Sequence, residues 1–270
     1  MVATIKQLVR RSNLSGRPWT QWVLAAIEFL AVYALARRGG LWVLAAVLIA
    51  AIELRVLLPN SLAVGETKVL EFWRCLPGLV MGLSVTLVVA MVPRYATQVV
   101  VALLYAGWLV WRESDPDGAS NNLAQLLIVQ AVMFEAIFLV AAVWHNSDGT
   151  SIPAWITLAL VWTGAYFTVY GVLTRRGDKS AGVMAATWGV VATEVAWVLM
   201  LWLITYTMTG GFILVPQPAL ILTALAYIFG SILVSSRHGS LSRGRLGEYM
   251  VIALILVMIV VVGTSWRGNV

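Results

Sequence analysis

The stretch VAWVLMLWLITYTMTGGFILVPQPALILTALAYIFGSILVSS, residues 195–236, runs for 42 positions without a charged side chain. With Glu194 just upstream, it extends a helical pattern that begins near Gly182. As a single helix the run would be about 63 Å long, twice the roughly 30 Å hydrocarbon core of a bilayer. It must therefore fold back, and Gly210-Gly211 followed by Pro216 and Pro218 supplies the break. Two antiparallel spans are expected, at 182–208 and 217–235.

Outward from this stretch, the charge-free runs 75–93, 95–111, 149–174 and 249–266 each match one crossing of roughly 17–25 residues. Adding the apolar runs interrupted by one carboxylate gives candidate spans at 19–36, 41–58, 76–92, 95–111, 121–144, 152–174, 182–208, 217–235 and 247–265. The joints carry turn chemistry: Arg37-Arg38-Gly39-Gly40, Asp115-Pro116-Asp117-Gly118, Asp148-Gly149 and Arg176-Gly177-Asp178. The expected fold class is all-α, a polytopic transmembrane helix bundle of eight or nine spans with very little extramembrane mass. The runs lack the period-2 alternation of a transmembrane barrel.

Composition agrees. Of 270 residues, 61% are apolar and 11% charged, and the mean hydropathy is +0.89. Soluble domains run near 45–50% apolar and about 25% charged. This excludes a soluble enzyme, a disordered tail, a disulfide-rich secreted domain and a nucleic-acid-binding module. The net charge of +6 comes from 18 Lys and Arg, which in a membrane protein mostly set orientation. With the N-terminus cytoplasmic, 14 of the 18 fall on the inner side, as the positive-inside rule expects. The Arg37-Arg38 pair runs against that bias and leaves the first hairpin open, hence eight or nine spans. Ala34-Leu35-Ala36 has the small-residue form of a signal-peptide cleavage site, but the two arginines that follow hinder export, so the first run reads as a retained helix. A plasma (inner) membrane, bacterial in kind, is the expected location.

Residues 1–18 form a basic N-terminal segment suited to the inner leaflet, and 19–270 form one transmembrane domain. Within it, residues 65–75 alternate Glu66, Lys68, Glu71 and Arg74 with Leu70, Phe72 and Trp73, the pattern of an interfacial helix that turns into the bilayer at Pro77. Nine of the 13 tryptophans, among them Trp73, Trp108 and Trp111, fall at predicted span ends, where an aromatic belt belongs. Trp162, Trp188, Trp197 and Trp202 lie deeper. Gly78-x-x-x-Gly82 permits close helix approach, more in keeping with a contact inside the chain than with dimerisation.

The sharpest chemical signal is three glutamates inside spans: Glu28, Glu135 and Glu194. Each is near the middle of a helix that runs from inside to outside, so all three are expected at similar depth. A charge at the bilayer centre costs at least about 2.5–3.5 kcal/mol, so such groups usually face the bundle interior and find partners. Gln21 is about 20° around the helix from Glu28, and Asn121 about 40° from Glu135. Thr187, Glu194 and Thr205 make a polar stripe on the seventh span, and Thr163, Tyr166, Tyr170 and Thr174 add polar groups on the sixth. Two readings stand side by side. One is a polar seam whose carboxylates handle protons or a solute; the other is interhelical hydrogen-bond glue.

Arg237, Arg243 and Arg245 form a basic, turn-rich segment that suits anionic lipid headgroups on the inner face as well as ordinary anchoring. No metal site is expected. Asp115-Pro116-Asp117-Gly118 opens like a calcium loop, but Leu126 occupies the position of the bidentate Glu. His145 and His238 fall on opposite sides of the membrane, Cys75 is alone, and HExxH, GxSxG and CxxC motifs are absent. No cofactor is expected, and the chain leans away from an enzyme. The leading expectation is a small-solute or ion carrier or permeation protein. A membrane-embedded assembly subunit with a protein partner and a lipid-active enzyme are the alternatives. The lipid bilayer is the one expected partner throughout, and nucleic acid is not.

Overall fold

The computed structural model describes residues 66–92, 94–114, 122–147, 153–175, 178–201, 203–208, 213–237 and 247–255, with single helical positions at Leu30, Val47, Ile49, Ala51, Gly244 and Met258. These are helical apart from one hairpin and short joints. The helices are α1 (Glu66–Met91), α2 (Tyr95–Ser114), α3 (Asn122–Ser147), α4 (Ala154–Arg175), α5 (Ala181–Met200), α6 (Gln217–Arg237) and α7 (residues 247–255). Strands β1 (Thr205–Met208) and β2 (Ile213–Pro216) lie between α5 and α6. Among the described residues, three helical stretches are long and apolar enough to cross a membrane: Leu123–Val143, Ala154–Thr174 and Ala181–Met200. Cys75–Met91 and Gln217–Leu233 are shorter apolar stretches. The chain is a helical membrane protein.

α3 is the hub, packing against α1, α4 and α6, while α5 packs mainly on α4. One core joins α3, α4, α5 and α6 through Phe134, Phe138, Val161, Ala165, Trp188 and Leu222. A second joins α1, α2 and α3 through Met81, Val85, Tyr105 and Val129, with Ile49 buried among them. The face of α5 turned to this core is built of small residues: Ala181, Ala185, Gly189, Ala192 and Ala196 are all buried. Small side chains at i, i+4 spacing let two helix backbones approach closely, which suits lipid, where apolar burial gives little drive for association.

Three features differ from the sequence reading. The expected interfacial helix and the third span are one continuous helix, α1, with Pro77 inside it. The seventh span ends at Met200, eight residues short of the expected 208. The turn-back is an antiparallel β-hairpin in which Thr205 pairs with Pro216 and Met208 with Ile213. Its ladder, together with the Gln217 N–H donating to the Ile204 carbonyl at 2.8 Å, gives backbone groups partners where the helix stops. The segment 1–18, the spans expected at 19–36 and 41–58 and the end of the last span lie outside the described residues, save the single positions named above.

Two glycines sit where helices touch. Proline 77 has no N–H to offer the Trp73 carbonyl one turn earlier. That carbonyl and the proline ring face Gly171 of α4, where a Cβ would lie 2.8 Å from Trp73 O and 2.7 Å from Pro77 Cδ. A Cβ on Gly82 would run into Ile49 and come within 2.9 Å of the Tyr105 hydroxyl, so this glycine serves a contact inside the chain. Gly171→Ala is expected to destabilise the α1–α4 contact by about 1–3 kcal/mol. Gly107→Ala, at a position with open space around it, is expected to hold or raise stability. Thermal unfolding of the two variants in detergent checks the contrast.

Candidate functional site

α1, α2, α3, β2 and α6 enclose an open chamber of about 1100 Å³, to which Ile252 of α7 also contributes. Its wall is largely apolar. α1 supplies Met81, Val85 and Val88, and α2 supplies Tyr105, Trp108 and Trp111. From α3 come Ile128, Ala131, Val132, Glu135 and Leu139, which recur at helical spacing and so form one stripe. β2 adds Val215, and α6 adds Thr223 and Tyr227.

Among the described residues Glu135 is the only acidic residue in the wall, and no Lys or Arg lines it. Its side chain is partly buried and has neither a hydrogen bond nor an ion pair among the described residues. Two other polar groups in the wall are engaged. The Thr223 hydroxyl donates to the Ala219 carbonyl at 2.7 Å, and the Tyr227 hydroxyl donates to Glu248 Oε1 at 2.7 Å. Tyr105 stacks on Trp108 at 6.0 Å, and the Arg112 guanidinium lies 5.0 Å from the Trp108 ring centroid. Trp108 is buried, and its indole N–H has no acceptor among the described residues. Trp108 is thus an interior residue of the chamber wall.

The structure separates the residues that the sequence grouped into a seam. Glu28 lies outside the described residues. Glu194 and Thr187 are both exposed on α5, turned away from its small-residue face, and the Thr187 hydroxyl donates to its own helix at Val183 O, 2.9 Å. The inward orientation expected for them is therefore not the one found. The reason is steric, because alanine and glycine occupy the packed face and leave the carboxylate outside. Thr205, expected on the same helix, is in β1. Tyr166 and Tyr170 of α4 stack on each other at 5.5 Å, with Trp162 at 5.3 Å beyond Tyr166 and Trp73 of α1 at 4.6 Å beyond Tyr170. They form an aromatic ladder and do not line the chamber. Arg237 ends α6, while Arg243 and Arg245 lie outside the described residues. Among the described residues no three His, Cys, Asp or Glu side chains gather as metal ligands.

The sequence reading missed the chamber aromatics and the Tyr227–Glu248 bond. Neither leaves a mark in the charge-free runs, since each joins helices distant in the chain. A signal for Glu194 does exist: the repeat Ala181, Ala185, Gly189, with Ala192 and Ala196, defines a packing face, and Glu194 is about 200° around the helix from Ala192. No protein-family model, no curated protein and no solved structure matches this chain.

The Tyr227–Glu248 bond ties α7 to α6 at the edge of the chamber. Tyr227→Phe removes the donor and keeps the ring. Faster amide hydrogen exchange over residues 247–255, with α3 unchanged, is the expected outcome in nanodiscs.

Proposed function

We propose that this chain is a small-solute or ion carrier of a bacterial plasma membrane, with eight or nine spans and a cytoplasmic N-terminus, and that the α1–α2–α3–α6 chamber is its site. The observation that carries this reading is Glu135: an acidic side chain without a partner among the described residues, in the wall of a space large enough for an organic molecule. Intramembrane carboxylates in such settings are expensive, and they commonly mark proton or solute pathways. Pockets that hold small molecules are mostly apolar, with a few placed polar groups, and span roughly 300–1,000 Å³. The chamber, at about 1100 Å³, is just above that range and has the same largely apolar make-up. Glu135 would take a proton or the solute in turn, while the apolar wall orients the rest of the molecule.

A second reading, a membrane-embedded assembly subunit, is favoured by a different observation. The outward face of α5 presents Val183, Val190, Glu194, Trp197 and Val198 to the surroundings. A carboxylate on such a face calls for a protein neighbour more readily than for lipid.

Proteoliposomes that trap a pH-sensitive dye separate the two. A panel of small amines, carboxylic acids and neutral organic solutes is added outside. At least one solute is expected to drive proton movement above that of protein-free vesicles, and Glu135→Gln is expected to cut it by about tenfold with folded yield unchanged. Full flux in Glu135→Gln removes this mechanism. Silence across the panel, together with a stoichiometric partner seen by native mass spectrometry of nanodiscs drawn from the source membrane, moves the assignment to the assembly subunit.

A further inference from the structure

The chamber's chemistry narrows what it can hold, on the reading that it is the site. Its volume of about 1100 Å³ is far beyond the needs of an inorganic ion. A hard cation stripped of water also requires about six to eight oxygen ligands, or a ring of carbonyls. Among the described residues the side-chain oxygens in the wall are those of Thr97, Tyr105, Glu135, Thr223 and Tyr227, and Thr97 is about 12 Å along α2 from Tyr105, so they do not gather as such a cage. An anionic molecule would be set against Glu135 with no Lys or Arg among the described residues of the wall to receive it, a repulsive arrangement. A purely apolar molecule would leave Glu135 unpaired in an apolar wall.

We propose that the chamber binds a lipophilic monocation, an organic ammonium or comparable ion whose charge pairs with Glu135 and whose apolar body lies against the walls of α1, α2, α3 and α6. The carboxylate supplies the counter-charge that a cation loses when it leaves water, and the low local dielectric strengthens that pair. The aromatic faces of Tyr105 and Trp111 add surface that attracts cations. Delocalised or shielded charge suits the site best, because such ions part with hydration more easily than a small ammonium does.

The test uses two ions of nearly the same size and shape but opposite charge, tetraphenylphosphonium and tetraphenylborate, with the full-length protein in nanodiscs. Wild-type protein is expected to bind tetraphenylphosphonium saturably and in preference to the borate. Glu135→Gln is expected to weaken phosphonium binding by about tenfold or more, and Glu135→Asp to restore part of it. A measurement on unaltered protein runs in parallel and does not depend on how the variants fold. An apolar carbodiimide labels Glu135, mass spectrometry locates the adduct, and tetraphenylphosphonium is expected to protect it where tetraphenylborate does not. Equal or tighter binding of the borate, phosphonium binding that is unchanged in Glu135→Gln, or labelling of Glu135 that neither ion or both ions block would each overturn the proposal. Its failure is distinct from failure of the carrier reading. Flux driven by a solute of another charge class with no phosphonium binding sinks only the ligand class. Glu135-dependent phosphonium binding with no flux sinks only transport.

Discussion

The rotation of α3 decides what the interior of this protein can do, and a buried hydrogen bond sets it together with the packing of Phe134 and Phe138. Gln130 Nε2 donates to Thr168 Oγ1 of α4 at 3.0 Å, and neither side chain is exposed. The Thr168 hydroxyl in turn donates to the Gly164 carbonyl at 2.8 Å. The bond ties one face of α3 to α4 in an apolar interior, and it acts on orientation more than on stability. Such interhelical bonds contribute only about 0.6 kcal/mol on average. Glu135 follows Gln130 by five residues, about 140° around the helix. With Gln130 held against α4, Glu135 is necessarily turned to the other flank, where α1, α2 and α6 stand back far enough to leave the chamber.

The hairpin between α5 and α6 answers a related constraint. An apolar segment that reverses direction must still give its peptide groups partners, and an ordinary loop in an apolar setting would not. Strands of four residues meet that need with the fewest residues, and they also deliver Val215 to the chamber wall. The reversal is therefore part of the site's construction as well as a link between spans. Pro216 and Gln217 close the ladder and open α6 without a gap, so the position of the chamber's α6 wall is tied directly to the hairpin register.

Much of this architecture was legible in the sequence, for a physical reason. Charges and turn residues are expensive inside a helix in lipid, so Arg94, the Asp115–Gly118 turn and Arg176-Gly177-Asp178 mark the ends of α1, α2 and α4 within a few residues. The end of α5 was not legible in that way, because no charge separates Met200 from Gly210. The alternation in Thr205-Tyr206-Thr207, β-branched and aromatic, was the available clue to a strand. The facing of Glu135 and Glu194 was hidden by a different effect. Both helices are apolar all round, so polar periodicity does not distinguish an inner from an outer face. Residue size is a better guide: on α5 Ala181, Ala185, Gly189, Ala192 and Ala196 are inside, joined by Trp188 and Leu199, while Val183, Met184, Trp197 and Val198 are outside. The chamber itself depends on contacts among helices far apart in the chain, which leave no local pattern in the sequence.

The two described intramembrane glutamates are thus in opposite circumstances, and the contrast bears on how the proposed functions relate. Glu135 is enclosed by this chain's own helices and can be served by something that enters the chamber. Glu194 is on a surface that the described residues leave open, where something alongside α5 can serve it. A solute that satisfies Glu135 does nothing for Glu194, and a neighbouring helix against α5 does nothing for Glu135. Carrier and subunit are therefore separate assignments resting on separate residues, and one chain can hold both. If both hold, they are coupled physically through α4. That helix meets α5 along the small-residue face and meets α3 at the Gln130–Thr168 bond, so a partner that shifts α5 presses on the same contact that aims Glu135.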